Sequence, residues 1–293
     1  MTASSLVHGA VPVANDPAAR PCIPRRIIQT GRNTSLSPLG RGVRATLQAL
    51  NPDFEYVFFD DAAVRSFVRT EFPEYERVFD GFPFPIQRYD FFRYLAVYRL
   101  GGFYLDLDVV TSRPLEDLRS SGCVFPFESI SLNRFLREAH GIDWELGNYA
   151  FGAAAGHPFM RAVIDGCLRA QAEPEWVAPM LRGIPRWFQR EFVVLNTTGP
   201  GLVTRTFAEQ AALQSDVAVL FPADVCDPAG WNQFGEYGVH LMDGSWRHRS
   251  GRLWRRLADR WEAWALARCM AASRALGPRR QVGATATRVP AAA

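Results

Sequence analysis

The 293 residues contain no lysine, so all 33 basic side chains are arginines. Donors to any phosphate must therefore come from Arg, Ser, Trp or backbone amides. This reads as a base-composition bias of the genome, and the net charge of +3 is too mild to imply a nucleic acid or another polyanion as partner. The five cysteines, at 22, 123, 167, 226 and 269, stand singly. Without Cys-x-x-Cys spacing, neither a zinc site nor a disulfide framework is indicated, and a reducing compartment fits. No run of about 18 apolar residues is present, and the first residues lack a basic stretch followed by an apolar one. A cytoplasmic protein is the expectation. What remains is 48% hydrophobic and 22% charged, ordinary for a globular chain with a sizeable core.

The most informative segment is Gly101-Gly-Phe-Tyr-Leu-Asp-Leu-Asp-Val-Val110, which reads as a buried strand ending in two carboxylates one residue apart. Two like charges this close and partly desolvated need a cation or strongly shifted pKa values. Oxygen ligands of this kind suit Mg²⁺ or Mn²⁺, which keep positions open for water and diphosphate oxygens. Asp106 and Asp108 thus point to a metal and a phosphorylated substrate, the alternative being a loop with two solvated aspartates.

Upstream, Arg88 to Leu100 carries helical periodicity, with Phe91, Tyr94, Leu95 and Tyr98 spaced to face a core. Gly101 falls where a helix end favours a residue free to take positive φ, and Gly102 permits a tight reversal into the strand. Asp90 and Arg93, one turn apart, share a helix face. They form either a surface ion pair contributing ~0.2–0.5 kcal/mol or two polar arms reaching the metal pocket.

Taken together, Asp-x-x-Arg-Tyr on a helix followed by Gly-Gly-x-Tyr-x-Asp-x-Asp resembles the sugar-binding region of glycosyltransferase family 32, which includes Och1-like mannosyltransferases and bacterial capsule and glycolipid enzymes. Three other segments are similar to that family in order: Ile23-Pro-Arg-Arg-Ile-Ile-Gln29-Thr30, Asn148 with Gly156-His157-Pro158, and His240 followed by Ser245-Trp246. The chain departs from the pattern at Ile28, where His is common, and at Gly31, where Trp is common, positions that bear on nucleobase contact.

The resemblance implies a GT-A type α/β fold, a single Rossmann-like mixed sheet flanked by helices. It also implies a metal-dependent transfer of sugar from a UDP- or GDP-sugar to a glycan, lipid-linked or other hydroxyl acceptor, with retention of anomeric configuration. Carried over residue by residue, Asp106 and Asp108 would hold Mn²⁺ or Mg²⁺, with His240 closing the coordination shell or, alternatively, serving as a core histidine on a strand. Asp90 and Arg93 would hold sugar hydroxyls, and Asn148 would contact sugar or acceptor. Gln29 and Tyr104 belong to the matching segments as substrate-binding candidates, and Ser245 and Trp246 would donate to the diphosphate.

Alternating strand-like and helix-like segments independently indicate an α/β layer fold. Strands are expected at 26–29, 54–59 and 148–151, with helices after Ser37-Pro38, Asp60 and His157-Pro158, and a further helix near Val203. Residues 1–21 and 276–293 read as disordered tails around a catalytic domain at 22–250 and an amphipathic helix at 251–275. That helix, with Leu253, Leu257, Trp261, Trp264 and Ala265 on one face, either packs on the domain or docks peripherally on an anionic membrane. Two other functions fit parts of the motif. Leu105-Asp-Leu-Asp108-Val-Val110 also suits a haloacid-dehalogenase-like phosphohydrolase, which expects the motif on its first strand and a downstream Lys; a sugar-nucleotide-binding protein without catalysis is the third reading.

Overall fold

The computed structural model describes residues 22–242 and 252–275. The tails at 1–21 and 276–293, and the predicted diphosphate donors Ser245 and Trp246, lie outside the described residues. The core is one mixed sheet of seven strands: β1 Arg26–Thr30, β2 Glu55–Phe59, β3 Gly102–Leu105, β5 Cys123–Ile130, β6 Trp144–Leu146, β7 Ala150–Ala153 and β8 Ala218–Leu220. Two further strands, β4 Val109–Thr111 and β9 Gly238–His240, form a separate antiparallel ribbon. The main sheet runs β2-β1-β3-β7-β5-β6, with β8 paired in parallel to the first half of β5. β2, β1 and β3 are parallel, whereas β7 is antiparallel to β3. This is the mixed α/β layer expected from the sequence, in which ligands sit beyond the carboxyl ends of the parallel strands.

Strand alternation sorts side chains onto two faces. In β3, Tyr104 joins the larger core with Phe91, Tyr94 and Leu95 of the Pro85–Leu100 helix, while Phe103 and Leu105 join the smaller core with Leu47 and Tyr149. Fully burying a Phe or Leu of this kind is worth ~1.5–3 kcal/mol relative to exposure, which fixes the helix against the sheet. Pro85 suits its first turn, and the Gln87 carboxamide accepts from the Phe84 N–H at 3.1 Å. At its other end Gly101 has φ 65 and Gly102 φ 113; a Cβ on Gly102 would stand 2.6 Å from the Arg26 carbonyl oxygen. The paired glycines are thus required for the chain to turn from helix into a strand lying against β1.

Several boundaries moved. The segment through Val110 is not one strand: it stops at Leu105, turns through Asp106 to Asp108, and resumes as β4 alongside β9. The 148–151 strand forms later, as Ala150–Ala153, because Asn148 is bound to the Pro85–Leu100 helix. The helix expected near Val203 forms as Pro200–Glu209, and a second helix, Gln189–Thr197, runs directly into it. Ser37, Asp60 and His157 all cap helices, each accepting from a backbone N–H with its side chain. The C-terminal helix spans Arg252–Ala275; Arg137 reaches the Cys269 Sγ at 3.6 Å, while the Trp264 side chain is largely exposed. Among the described residues no helix is long and apolar enough to cross a membrane.

Candidate active site

The site forms where β3 ends. Asp106 follows the last residue of β3, and its N–H donates to the Tyr149 carbonyl at 2.7 Å. Gln29, at the end of β1, lies behind the turn: its Nε2 donates to the carbonyls of Leu105 and Asp106 at 3.2 and 3.4 Å, and its Oε1 accepts from Tyr56 at 2.8 Å. Sealed from solvent, Gln29 sets the shape of the acidic turn. Contacting a substrate would require it to give up those bonds.

Asp108 is presented on the far side of the turn, where the β4–β9 ribbon delivers the histidine. Val109 pairs with His240, the Leu241 N–H donates to the Asp108 carbonyl at 3.0 Å, and His240 Nε2 lies 3.4 Å from Asp108 Oδ2. The imidazole stacks on Tyr149 with centroids 4.4 Å apart. One ligand atom from each of Asp106, Asp108 and His240 falls within 4.8 Å of the others, and their side chains are only 26%, 19% and 18% exposed. Opposite ligands on an ion with bonds of ~2.1 Å lie ~4.2 Å apart. At most one pair of three donors can be opposite, and adjacent ligands lie ~3.0 Å apart, so the three side chains bracket a cation-sized gap that closes by rotamer adjustment when an ion binds.

On the other face of the sheet the turn is tied to a closed polar network. Tyr104 donates to Asp106 Oδ1 at 2.6 Å, and Thr30 lies 3.0 Å from the same phenol. Arg93 spans both acids: Nη1 is 3.2 Å from Asp106 Oδ2 and Nη2 is 3.2 Å from Asp90 Oδ1. Arg93 also donates to the Asn148 carbonyl at 2.8 Å and stacks its guanidinium 4.6 Å from the Tyr104 ring centroid. The remaining oxygen of Asp90 accepts from Thr198 at 2.9 Å, and the Asn148 amide donates to Tyr94 at 2.9 Å and to Asp90 at 3.3 Å. Asp90 and Arg93 are each 4% exposed, so the surface ion pair allowed by their spacing is not what forms. Burial of both is the reason: residues 90–97 of the helix are all buried, charged side chains included, and the Gln189–Thr197 end packs Thr198 over Asp90.

The electrostatics follow from that burial. Desolvation pushes the Asp90 carboxyl up to about 6, against the pull of Arg93 and Thr198. For Arg93, desolvation acts to lower the pKa, but the charges of Asp106, Tyr104 and Asp90 outweigh it and drive the value upward. Burial holds the Tyr104 phenol well above its usual range, so it stays a donor to Asp106.

The structure thus brings Asp90, Arg93, Tyr104, Asp106, Asp108, Asn148, Gln29 and His240 to one end of the sheet. Thr30, Tyr94, Tyr149 and Thr198 also belong there. Thr198 lay in a turn-like Thr-Thr-Gly-Pro stretch with nothing to link it to Asp90, while Tyr94 matched a core spacing and proves to be buried and polar at once.

A paired-acid turn beyond parallel strands, with histidine opposite, defines an α/β protein with an Asp-x-Asp centre. Residues 41–125 match the model of the glycosyltransferase sugar-binding region containing the DXD motif. It is 32% identical to inositol phosphoceramide mannosyltransferase 3 of Schizosaccharomyces pombe over 48% of this chain and 36% of that protein. Against the mannosyl phosphorylinositol ceramide synthase SUR1 of Saccharomyces cerevisiae it is 29% identical over 61% of this chain and 40% of the relative. The chain therefore spans less than half the length of these relatives. The solved PaToxG glycosyltransferase overlays 66% of this chain and 72% of its own, at 14% identity and a TM-score of 0.41.

Proposed function

We infer that this protein transfers a sugar, mannose being the first to test, from a nucleoside-diphosphate donor to a hydroxyl of a glycolipid. The observation that carries this is the convergence of Asp106, Asp108 and His240 within 4.8 Å at the open end of the sheet, together with the match of residues 41–125 to a sugar-binding region. The mannosyl and glycolipid components rest on what the relatives are named for. The mixed oxygen and imidazole donor set suits Mn²⁺ better than Mg²⁺.

Asp106, Asp108 and His240 would hold a divalent cation, which would supply charge neutralisation for the leaving diphosphate. The chain's own residues supply the rest. Tyr104 and Arg93 hold Asp106 in one rotamer and Gln29 fixes the backbone of the turn; Asp90 and Asn148, which the family resemblance assigns to the sugar, are buried in the Arg93 network and would have to exchange those bonds to reach its hydroxyls. Retention of configuration is the stereochemical outcome that the same resemblance implies, and NMR of the first-formed product tests it. A cytoplasmic setting at the inner face of a membrane, with the Trp264-bearing helix touching lipid, completes the proposal.

The deciding experiment screens nucleotide sugars by thermal shift with and without Mn²⁺. A true donor stabilises by ~2.7 kcal/mol at a hundredfold excess over its Kd, and that shift should vanish on chelation. No Mn²⁺-dependent stabilisation by any UDP- or GDP-sugar would refute the assignment. The phosphohydrolase alternative finds the acidic turn after the third strand, whereas that fold expects it after the first, and the chain has no lysine.

A further inference from the structure

A metal-binding imidazole is ordinarily aimed by a hydrogen bond from the ring nitrogen that faces away from the ion to a carboxylate, a carbonyl or a water. His240 lacks that support. Its Nε2 lies 3.4 Å from Asp108 Oδ2, on the side where a cation would sit, while Nδ1 is buried and has no hydrogen-bond partner among the described residues. Backbone bonds hold only the strand that carries it: the His240 N–H donates to the Asn232 carbonyl at 2.9 Å, and Val109 pairs with His240 across the ribbon. A ring left to turn about its side-chain bonds would present Nε2 for part of the time only, and the entropy of fixing it would weaken metal binding.

The group against that ring is Tyr149. The two rings are stacked, with centroids 4.4 Å apart and planes 19° from parallel. Tyr149 is 2% exposed and belongs to the smaller core with Leu105, Val109 and Phe234. Gly147 makes room for it, because a Cβ at that position would stand 2.5 Å from the Tyr149 ring. The same residue also holds a second candidate ligand: its carbonyl accepts from the Asp106 N–H at 2.7 Å. Tyr149 thus joins two of the three, one through its backbone and one through its ring. Its hydroxyl takes no part in this, being buried without a hydrogen-bond partner among the described residues, an arrangement that costs desolvation free energy and gains no bond.

We propose that Tyr149 is a positioning residue for the metal centre: its ring face, in place of a hydrogen bond, orients the His240 imidazole so that Nε2 points at the cation. This rests on the reading of Asp106, Asp108 and His240 as metal ligands and adds to it the group that preorganises the third. Stacked aromatic pairs contribute beyond the area they bury, and here the contribution is made before the ion arrives.

The test uses the full chain with Mn²⁺ alone, its free fraction read by electron paramagnetic resonance, and NMR of the histidine ring protons without metal. The chain has five histidines, so His240→Ala assigns the signals of interest. We expect the His240 ring protons upfield of the other four in wild type and in Tyr149→Phe, and the Mn²⁺ Kd of Tyr149→Phe within twofold of wild type. Tyr149→Leu, which stays apolar and loses the ring, should lose the upfield shift and raise the Kd about fivefold. On a His240→Ala background the same substitution should change the Kd by less than twofold, since no imidazole is left to orient. A fivefold loss that persists without His240 overturns the proposal, because it would act through the Asp106 turn or the core. A weakened Tyr149→Phe overturns it as well, by making the hydroxyl the active group, and this variant and the wild-type ring signals decide the matter even if Tyr149→Leu does not fold. If the wild type binds no Mn²⁺, the metal reading itself fails and the proposal with it; Mn²⁺ binding with an unshifted His240 defeats the role of Tyr149 alone.

Discussion

The two sides of the acidic turn solve opposite problems. On the helix side, Asp90, Arg93, Asn148, Tyr94 and Thr198 make a dry network in which each charge has a partner. On the ribbon side, Asp106, Asp108 and His240 converge with an imidazole Nδ1 that is buried and has no hydrogen-bond partner among the described residues. In the first arrangement Arg93 Nε is the one buried donor left without a hydrogen bond among the described residues, whereas the second gathers three candidate ligating atoms within 4.8 Å of one another. Groups that position a site can be sealed, whereas groups that bind must stay within reach of water. Asp106 belongs to both, one oxygen to Tyr104 and the other to Arg93, and so joins the rigid side to the reactive one.

If that contrast is right, mutations on the two sides should fail differently. Asp108→Asn should cut Mn²⁺-dependent donor turnover by at least a hundredfold with a melting temperature close to wild type; retained turnover would mean the ribbon side is not the chemical one. Arg93→Met should instead unfold the protein more easily, by ~3–5 kcal/mol in urea, because it leaves buried acids without their counter-charge. Stability unchanged within 1 kcal/mol would show the network is not what holds the turn.

The pH response separates the sides further. Because the folded pKa of Asp90 is raised from 3.8 to about 6, the folded state binds more protons than the unfolded one in that interval. Stability contributed through this group therefore falls as pH rises from about 4 to about 6, by ~3 kcal/mol at most, and is level above. The difference between wild type and Asp90→Asn, followed by urea midpoints across that range, should carry this slope; parallel curves would count against it. The smallest effect is expected at His240→Ala, which should raise the Mn²⁺ concentration for half-maximal turnover about tenfold and leave the saturating rate within a few-fold. An unchanged titration would make His240 a stacking partner of Tyr149 and no more.

Much of this architecture is legible in the sequence because local rules govern it. Ser37, Asp60 and His157 cap helices where their side chains and the following Pro or acidic residue say they should, and Gly101-Gly102 mark the turn from helix to strand. The Asp-x-Asp pair is visible from like charges set beside a buried apolar run. What escapes is set by pairing across long separations. That β3 breaks at Leu105 depends on β9 capturing Val109, and no pattern near residue 105 encodes residue 240. His240 entered the candidate set through family resemblance alone. Asp90 and Arg93 were recognised as a pair, but i,i+3 spacing does not say whether water or a second helix lies over them.

The crossing of β1 between β2 and β3 has a practical corollary for dissection. A fragment excised at the family-matched limits, 41–125, would carry both aspartates yet lack β1, leaving a gap in the middle of the sheet, and would lose β7, the other neighbour of β3. The motif that names the family is thus a signature and not a module: grafted onto a foreign scaffold without its flanks, it should bring its acids but not their alignment.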